Sequence, residues 1–342
     1  MSLSLYVDGD RWREHLRAVA AGYPGIVPVA KGNGYGFGVG RLARRSEWLG
    51  CDLMAVGTYD EAPEVLKRFH GDVLVLTPWR PFVRAPEDRR LVHTVGRTDD
   101  LATLKSRASQ GERPRVLLEG LTSMSRHGLT PEGLRAADLS GVVVEGLALH
   151  LPMHGDRVAE TERWLGVVKA AGLSDRIYVS HLSDTELADL AGRHPEVVLR
   201  PRIGTALWLG DRAALAARAT VLDVHAVERG ERVGYRQRRL PRRGHVLVVS
   251  GGTAHGIGME APTAATSARS RAVAAARGGL DAAGLALSPY HLGGRQRWFV
   301  EPPHMQVSML FVPDGVAVPE IGAELPLDVR FTTTTFDRVT IS

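Results

Sequence analysis

Short apolar runs alternate with stretches of helical spacing along the first two-thirds of the chain, which is the rhythm of parallel βαβ units. The predicted strands cover residues 26–30, 53–57, 73–77, 91–95, 116–119, 142–149, 177–180 and 197–199. Helical patterns fall between most of them, over 40–49, 60–69, 99–109, 157–171 and 184–193. The third and fourth strands are joined instead by a short, irregular proline-rich link. Eight strands with intervening helices predict an α/β fold, a closed (β/α)8 TIM barrel. An open doubly wound sheet would be long at that strand number.

Near residue 213 the rhythm changes. Residues 220–227, 245–250, 306–312 and 325–333 read as strands, with turns at 228–230 and 242–244. The arginine-rich segment 236–243 looks like a polar hairpin between two strands, and one helix-like stretch runs over 264–278. The expected organisation is a barrel domain over 11–212 and a mainly β C-terminal domain over 213–342, joined by residues 1–10.

Composition narrows the class. The chain has 342 residues, 44% of them hydrophobic and 24% charged, which is globular and ample for a large core. No run approaches the roughly 18 apolar residues of a membrane span. The first ten residues lack a basic start followed by a long apolar run, so a soluble cytoplasmic protein without membrane association is expected. Cys51 is the single cysteine, which rules out an internal disulfide framework and a cysteine-based zinc site, and no metal is expected. The net charge is +5, but the basic residues are spread among acids, as on a solvated arginine-rich surface rather than a nucleic-acid face.

Lysine is rare: only Lys31, Lys67, Lys105 and Lys169 occur. The last three lie within helical patterns, where a solvated position is expected. Lys31 directly follows the apolar run 26–30. Desolvation there would lower its pKa and free the amine to attack a carbonyl. On those facts alone, a lysine paired with a core carboxylate fits equally well.

The next few residues separate the two readings. Lys31-Gly32-Asn33-Gly34-Tyr35-Gly36 resembles the cofactor-lysine motif of alanine racemases, in which asparagine and tyrosine stand two and four places after the lysine. The resemblance implies pyridoxal 5′-phosphate (PLP) held as a Schiff base by Lys31, which also acts as an acid/base, with Tyr35 on the phosphate. It extends to the later strand ends. Arg126, in Ser123-Met124-Ser125-Arg126-His127-Gly128, matches the family arginine near the cofactor's phenolic oxygen. His150, in Gly146-Leu147-Ala148-Leu149-His150, matches the histidine on the pyridine ring; alone, it would read as a hydrogen-bonded core histidine. Ser183 matches a phosphate-binding serine, and Gly204 and Thr205 would offer backbone N–H groups to the phosphate. Arg202, in Arg202-Ile203-Gly204, matches the arginine that faces the pyridine nitrogen. A permanent cation there keeps the nitrogen unprotonated and suits proton removal and return.

The likeness thins elsewhere. Leu121 stands where aspartate is usual, and Glu119 stands where many members carry a carbamylated lysine; a carboxylate could replace that anion, or form an ordinary strand-end salt bridge. In the C-terminal segment Ser250-Gly251-Gly252-Thr253-Ala254-His255, Thr253 replaces the family's second base, a tyrosine, leaving His255 as the candidate second base or as a residue lining the mouth. Gln306 replaces an aspartate beside the retained Met305. Pro303-His304-Met305-Gln306 also faintly resembles a zinc segment of D-serine dehydratases and D-threonine aldolases, with Gln306 where its cysteine would be. The expectation is a head-to-tail homodimer acting on a small amino acid as a racemase or epimerase. The alternatives are a D-amino-acid lyase or aldolase, and a PLP-binding protein without turnover.

Overall fold

In a computed structural model, residues 2–108, 113–259, 272, 275, 278 and 286–342 are described. The chain opens with strand β1 (Leu3–Val7) and helix α1 (Gly9–Gly22), then enters a closed parallel barrel. Its members in chain order are β2 (Val27–Ala30), α2 (Val39–Trp48), β3 (Leu53–Val56), α3 (Ala62–Leu66), β4 (Asp72–Val75), β5 (Leu91–Val95), α4 (Thr98–Arg107), β6 (Arg115–Gly120), α5 (Pro131–Ala136), β7 (Val143–Leu149), α6 (Arg157–Ala170), β8 (Arg176–Val179), α7 (Asp184–Arg193), β9 (Val198–Ile203) and α8 (Thr205–Leu209). Pairing of Val27 with Arg202 and of Pro28 with Ile203 closes the ring. The expected eight-stranded barrel is therefore present, with no helix between β4 and β5.

Alternation along the strands fills the barrel. Val27, Val29, Leu53, Ala55, Leu74, Val92, Leu117, Ala148 and Tyr178 form one buried cluster inside it, as side chains two apart on a strand share a face. The helices start where the sequence supplies caps. Asp156 accepts from the Ala159 N–H at the head of α6. Thr130 accepts from the Gly133 N–H at the head of α5, with Pro131 at the first helical position. The pattern over 60–69 yields only the short α3, which begins after Glu61 with Pro63 in its first turn.

The chain divides into two compact units, Arg13–Gly210 and Met1–Trp12 with Asp211–Ser342. The second unit is a mostly antiparallel sheet in which β1 joins β10 (Leu215–Val227), β13 (Gly244–Ser250), β14 (Leu287–Leu292), β15 (Arg295–Phe299), β16 (Val307–Pro313), β17 (Glu324–Pro326) and β18 (Arg338–Ile341). A small ribbon, β11 (Arg232–Val233) with β12 (Arg238–Arg239), pairs with no strand of the sheet but packs Val233 against its Val227, Val246 and Phe311 cluster. The sheet buries Leu3, Val221, Leu247, Val249, Tyr290, Leu310 and Val312 together. Two sequence readings change. The strand expected at 325–333 is only Glu324–Pro326: Leu327 still donates to the Ala217 carbonyl, but the Asp328 N–H turns away to the Pro289 carbonyl at 3.0 Å. The polar hairpin has its arms at 232–233 and 238–239, so it starts before the segment 236–243 and only its second arm lies within it. The helix expected over 264–278 lies outside the described residues, apart from positions 272, 275 and 278. Among the described residues, no helix is long and apolar enough to cross a membrane.

Candidate active site

The strand period that builds the barrel core also loads its carboxyl rim. Val29, Leu117, Ala148 and Tyr178 face inward, and two residues beyond each come Lys31, Glu119, His150 and Ser180. Arg202 stands in the same relation to Arg200 on β9. In TIM barrels this rim is where chemistry is assembled.

Lys31 follows β2 directly and its Cβ approaches Gly57 at the end of β3, where an added Cβ would lie 3.0 Å away. The residue is open to solvent, yet packing around its amine lowers the pKa, and the cations of Arg126 and Arg202 lower it further; Glu61 opposes them. Glu61 holds this corner in place. Its carboxylate accepts the N–H groups of Gly32 at 2.7 Å, Gly57 at 2.6 Å and Thr58 at 3.2 Å, tying the loop after β2 to the loop after β3.

Tyr35 adopts a left-handed φ of 55° in a turn of glycines and is buried. Its hydroxyl is hydrogen-bonded to Thr205, and burial pushes its pKa up to about 12. Gly204 lies directly against it: a Cβ there would fall 2.1 Å from the Tyr35 oxygen. Only glycine lets the β9–α8 connection pass this close to the phenol.

Arg202 is buried and donates from one terminal nitrogen to the Leu149 carbonyl at 3.0 Å, while its Nε has no hydrogen-bond partner. Desolvation, together with Arg126, lowers its pKa to about 10 against the pull of Glu119, so it stays charged at neutral pH. Glu119 is 3% exposed and its Oε2 is likewise without a partner. Burial raises its pKa, opposed by Arg202, Arg126 and Arg80. A strand-end salt bridge is therefore not what the structure forms at Glu119. Arg80 is committed to Asp100. His150 receives support from Ser180, whose Oγ lies 3.1 Å from Nδ1 and accepts the Leu151 N–H at 3.1 Å. Desolvation, then the Arg202 and Arg126 cations, drives the His150 pKa down to about 3, so the imidazole is neutral. The Arg126 loop is anchored by Glu160, which accepts the Ser123 N–H at 2.6 Å and the Ser123 hydroxyl at 2.7 Å.

The model for the family described as "Alanine racemase, N-terminal domain" matches residues 7–212. The chain belongs to the alanine racemase N-terminal domain family. No curated protein matches it. Among solved structures, an alanine racemase from D-cycloserine producing Streptomyces lavendulae is similar with a TM-score of 0.71 and 19% identity, over 100% of this chain and 97% of the other. An alanine racemase from Bartonella henselae with covalently bound pyridoxal phosphate has a TM-score of 0.68 and 16% identity, over 100% of both chains. A histidine racemase from Leuconostoc mesenteroides subsp. sake has a TM-score of 0.68 and 15% identity, over 100% of this chain and 97% of the other. These likenesses show a shared fold across barrel and C-terminal sheet.

Within this alanine racemase-family barrel, contacts and mutual charge effects bring Lys31, Arg126, His150 and Arg202 into one neighbourhood and set Tyr35 against Gly204 and Thr205. Ser183 has a second occupation. It caps α7 through a reciprocal capping box with Glu186, accepting the Glu186 N–H at 3.2 Å. The segment Ser183-Asp184-Thr185-Glu186 carries that signature openly. Glu61 and Ser180 are residues of this rim that the sequence reading missed. His255 belongs to the C-terminal unit, where it is 6% exposed. Its Nδ1 accepts the Gly252 N–H at 3.3 Å and its Nε2 lies 3.2 Å from Asp337. Both ring nitrogens are thus engaged, an arrangement that braces the glycine-rich turn. Among the described residues, no group of three metal-ligating side chains occurs.

Proposed function

We propose that this protein is a PLP-dependent amino-acid racemase or epimerase, a soluble cytoplasmic homodimer that removes and returns the Cα proton of a small amino acid. The observation that carries the reading is the unpartnered, buried Nε of Arg202 on the same rim as the partly desolvated Lys31 amine. A buried donor without a partner is costly unless a ligand completes it. The residues fit the cofactor: Lys31 would hold its aldehyde carbon. Tyr35, Gly204, Thr205 and Ser183 would surround its phosphate. The neutral His150 would lie on the ring, Arg202 would meet the ring nitrogen and Arg126 the phenolic oxygen. When bound, PLP supplies an electron sink for the pair left at Cα.

Proton handling falls to the chain's own groups. A lowered Lys31 pKa leaves more of the amine unprotonated near neutrality, the form that attacks carbonyls and accepts a proton. Arg202 is a fixed cation and holds no proton in reserve for a ring nitrogen, which limits the sink and favours return of the proton over side reactions. Glu61 keeps the Lys31 loop in register with β3. A one-base D-amino-acid lyase is the second reading, favoured by the two engaged nitrogens of His255 and by Thr253 where the family has tyrosine.

The deciding experiment incubates the purified protein in heavy water with both enantiomers of many amino acids and follows α-deuterium by mass spectrometry. Racemisation washes deuterium into both enantiomers, whereas exchange of one only, with release of keto acid or aldehyde, establishes the lyase. Borohydride treatment should leave cofactor covalently attached to the wild type and not to Lys31→Ala. Attachment that survives in Lys31→Ala overturns the lysine assignment.

A further inference from the structure

The net charge of +5 is not spread evenly along the chain. Seven arginines and two glutamates fall between residues 228 and 243, so this one segment carries the whole excess and the rest of the chain balances. The interleaving of basic and acidic residues, which elsewhere points away from a nucleic-acid face, does not extend to it. In the C-terminal unit the segment builds the β11–β12 ribbon. Leu240 lengthens it, accepting the Gly230 N–H and donating to the Glu231 carbonyl, both at 2.9 Å. Alternation then sorts the side chains. Val233 and Leu240 join the buried cluster of Val227, Val246 and Phe311. Arg232 and Arg239, direct cross-strand partners, are exposed, as are Tyr235 and Arg236 at the turn.

Like charges set directly opposite one another on paired strands are destabilising. The segment's own carboxylates do not relieve this pair: Glu228 lies 3.6 Å from Arg243, and Glu231 accepts the Glu228 N–H at 2.8 Å. Among the described residues no ion pair involves Arg232, Arg236 or Arg239. The fold nevertheless fixes the ribbon in place. The buried Glu301 carboxylate accepts the N–H groups of Tyr235 at 3.2 Å and Arg236 at 3.4 Å. Gly234, at a φ of 75°, permits that approach, since a Cβ there would fall 2.4 Å from the carboxylate. Gln237 is held at a left-handed φ of 47° and its side-chain amide donates to the Gly234 carbonyl at 2.9 Å. Tyr235 rests against His304, ring centroids 4.6 Å apart, and His304 lies 2.7 Å from Glu301. Tyr235 is still 85% exposed. A rigid ribbon that presents opposed cations and an aromatic ring to solvent gives up stability for binding.

We propose that the outer face of this ribbon is a docking surface for single-stranded nucleic acid. Opposed positions of an antiparallel pair lie about 4.5–5.5 Å apart at Cα, close enough for the Arg232 and Arg239 guanidiniums to share one phosphate. Arg236 adds a cation at the turn, and the Tyr235 ring offers a base a surface to stack on. Cations that follow the phosphates beside an aromatic platform hold unpaired strands without sequence readout. An acidic peptide would use the arginines and leave the ring idle, and a duplex keeps its bases inside the stack. The inference stands on the C-terminal unit alone and is independent of the barrel's chemistry.

The test titrates the full chain against fluorescein-labelled oligo(dT) and oligo(U) of about 20 nucleotides. A duplex of that length and poly-glutamate serve as competitors, and anisotropy is read across a salt series. The wild type should bind at low salt, with a log–log salt slope of about −2 for about three phosphate contacts; the tighter of the two strands identifies DNA or RNA as the source. Arg232→Gln combined with Arg239→Gln should weaken binding about tenfold or more and bring the slope to about −0.7. Tyr235→Ala should weaken it about tenfold and leave the slope in place. Arg135→Gln, which removes an exposed arginine of α5 in the barrel unit, should change neither. Arg239→Gln should also raise the thermal midpoint of the free protein, because one of two opposed cations is gone. The oligonucleotide should raise the midpoint of the wild type and not that of the double variant. Absence of binding at low salt, undiminished binding by the double variant, an equal loss in Arg135→Gln, or a lowered midpoint in Arg239→Gln overturns the proposal. Displacement by poly-glutamate as effective as by the unlabelled strand assigns the face to an acidic protein, and tighter binding of the duplex assigns it to paired strands; either result overturns it as well.

Discussion

At the amino-terminal end of β9, Arg200 donates to both oxygens of Asp52, at 2.6 and 2.9 Å, and from Nε to the Gly25 carbonyl at 2.8 Å, with its guanidinium over the Tyr178 ring. Two residues further along, Arg202 makes one bond to a carbonyl, 3.0 Å to Leu149, and has an orphaned Nε. The contrast extends around the barrel. Arg115 at the start of β6 is bidentate to Asp72, at 2.6 Å for each bond, and reaches Glu145 at 2.7 Å. At the other rim, Glu119 keeps a buried oxygen without a partner. One end of the barrel satisfies its charges internally, which serves stability. The other withholds partners, which is how a site is kept ready for a ligand at some cost to the fold.

Removing the two arginines separately puts the greatest strain on this contrast. Arg200→Leu should cost about 2–3 kcal/mol in denaturant unfolding, because it strips a hydrogen-bonded, largely buried guanidinium. Arg202→Leu should change stability by less than about 1 kcal/mol, since little pairing is lost. It should nevertheless lower turnover by about 100-fold or more, the scale of losing one preorganised electrostatic group. Equal destabilisation by both substitutions would erase the distinction between the rims.

Glu61 approaches the contrast from the opposite side, as an anion of the carboxyl rim that is fully used. Glu61→Ala leaves the N–H groups of Gly32, Gly57 and Thr58 without their acceptor. The expected cost is about 1–2 kcal/mol. It also removes the charge that supports the Lys31 ammonium, so the Lys31 pKa should fall further. Cofactor retention should weaken about tenfold as the loop loosens, a displacement effect of the kind that costs catalysis far from the chemistry. Unchanged stability would mean water satisfies those N–H groups instead.

Much of this architecture is legible in the sequence because period and motif are local. Alternating apolar residues place eight strands, and the strand-ending positions Lys31, His150 and Arg202 come from the same count. The hairpin of β14 and β15 is not among the predicted strands, although Gly293-Gly294 at its turn is a local signal for one. What escapes is long-range. Glu61 reads as an ordinary residue of a helical pattern, and only the fold brings three backbone N–H groups to it. The engagement of His255 depends on Asp337, 82 residues away in sequence. The Glu301–His304 spacing is local, yet the Tyr235 and Arg236 N–H groups that hold the Glu301 carboxylate come from a hairpin far away in sequence.

A subtler measurement asks whether the carboxyl rim's charges are as unpaired as their geometry indicates. In the cofactor-free protein, burial raises the Glu119 carboxyl pKa above its ordinary value while Arg202, Arg126 and Arg80 oppose the shift. The folded state then binds this proton more tightly than the unfolded chain does. Stability from Glu119 is therefore present below the ordinary carboxylate pKa and is lost as pH rises through the raised folded value. Glu119→Gln removes the titration, so the stability of the wild type relative to the variant should fall across that window, by at most about 1.4 kcal/mol per pH unit for one proton. Lys31 contributes the opposite slope, since its folded pKa is lowered, and it does so at more alkaline pH, below the ordinary lysine value. Urea unfolding of both proteins from mildly acidic to neutral pH resolves the two. A wild type that gains on the variant with rising pH would mean the arginines hold Glu119 as a stabilised anion, and that this rim, like the other, satisfies its own charges.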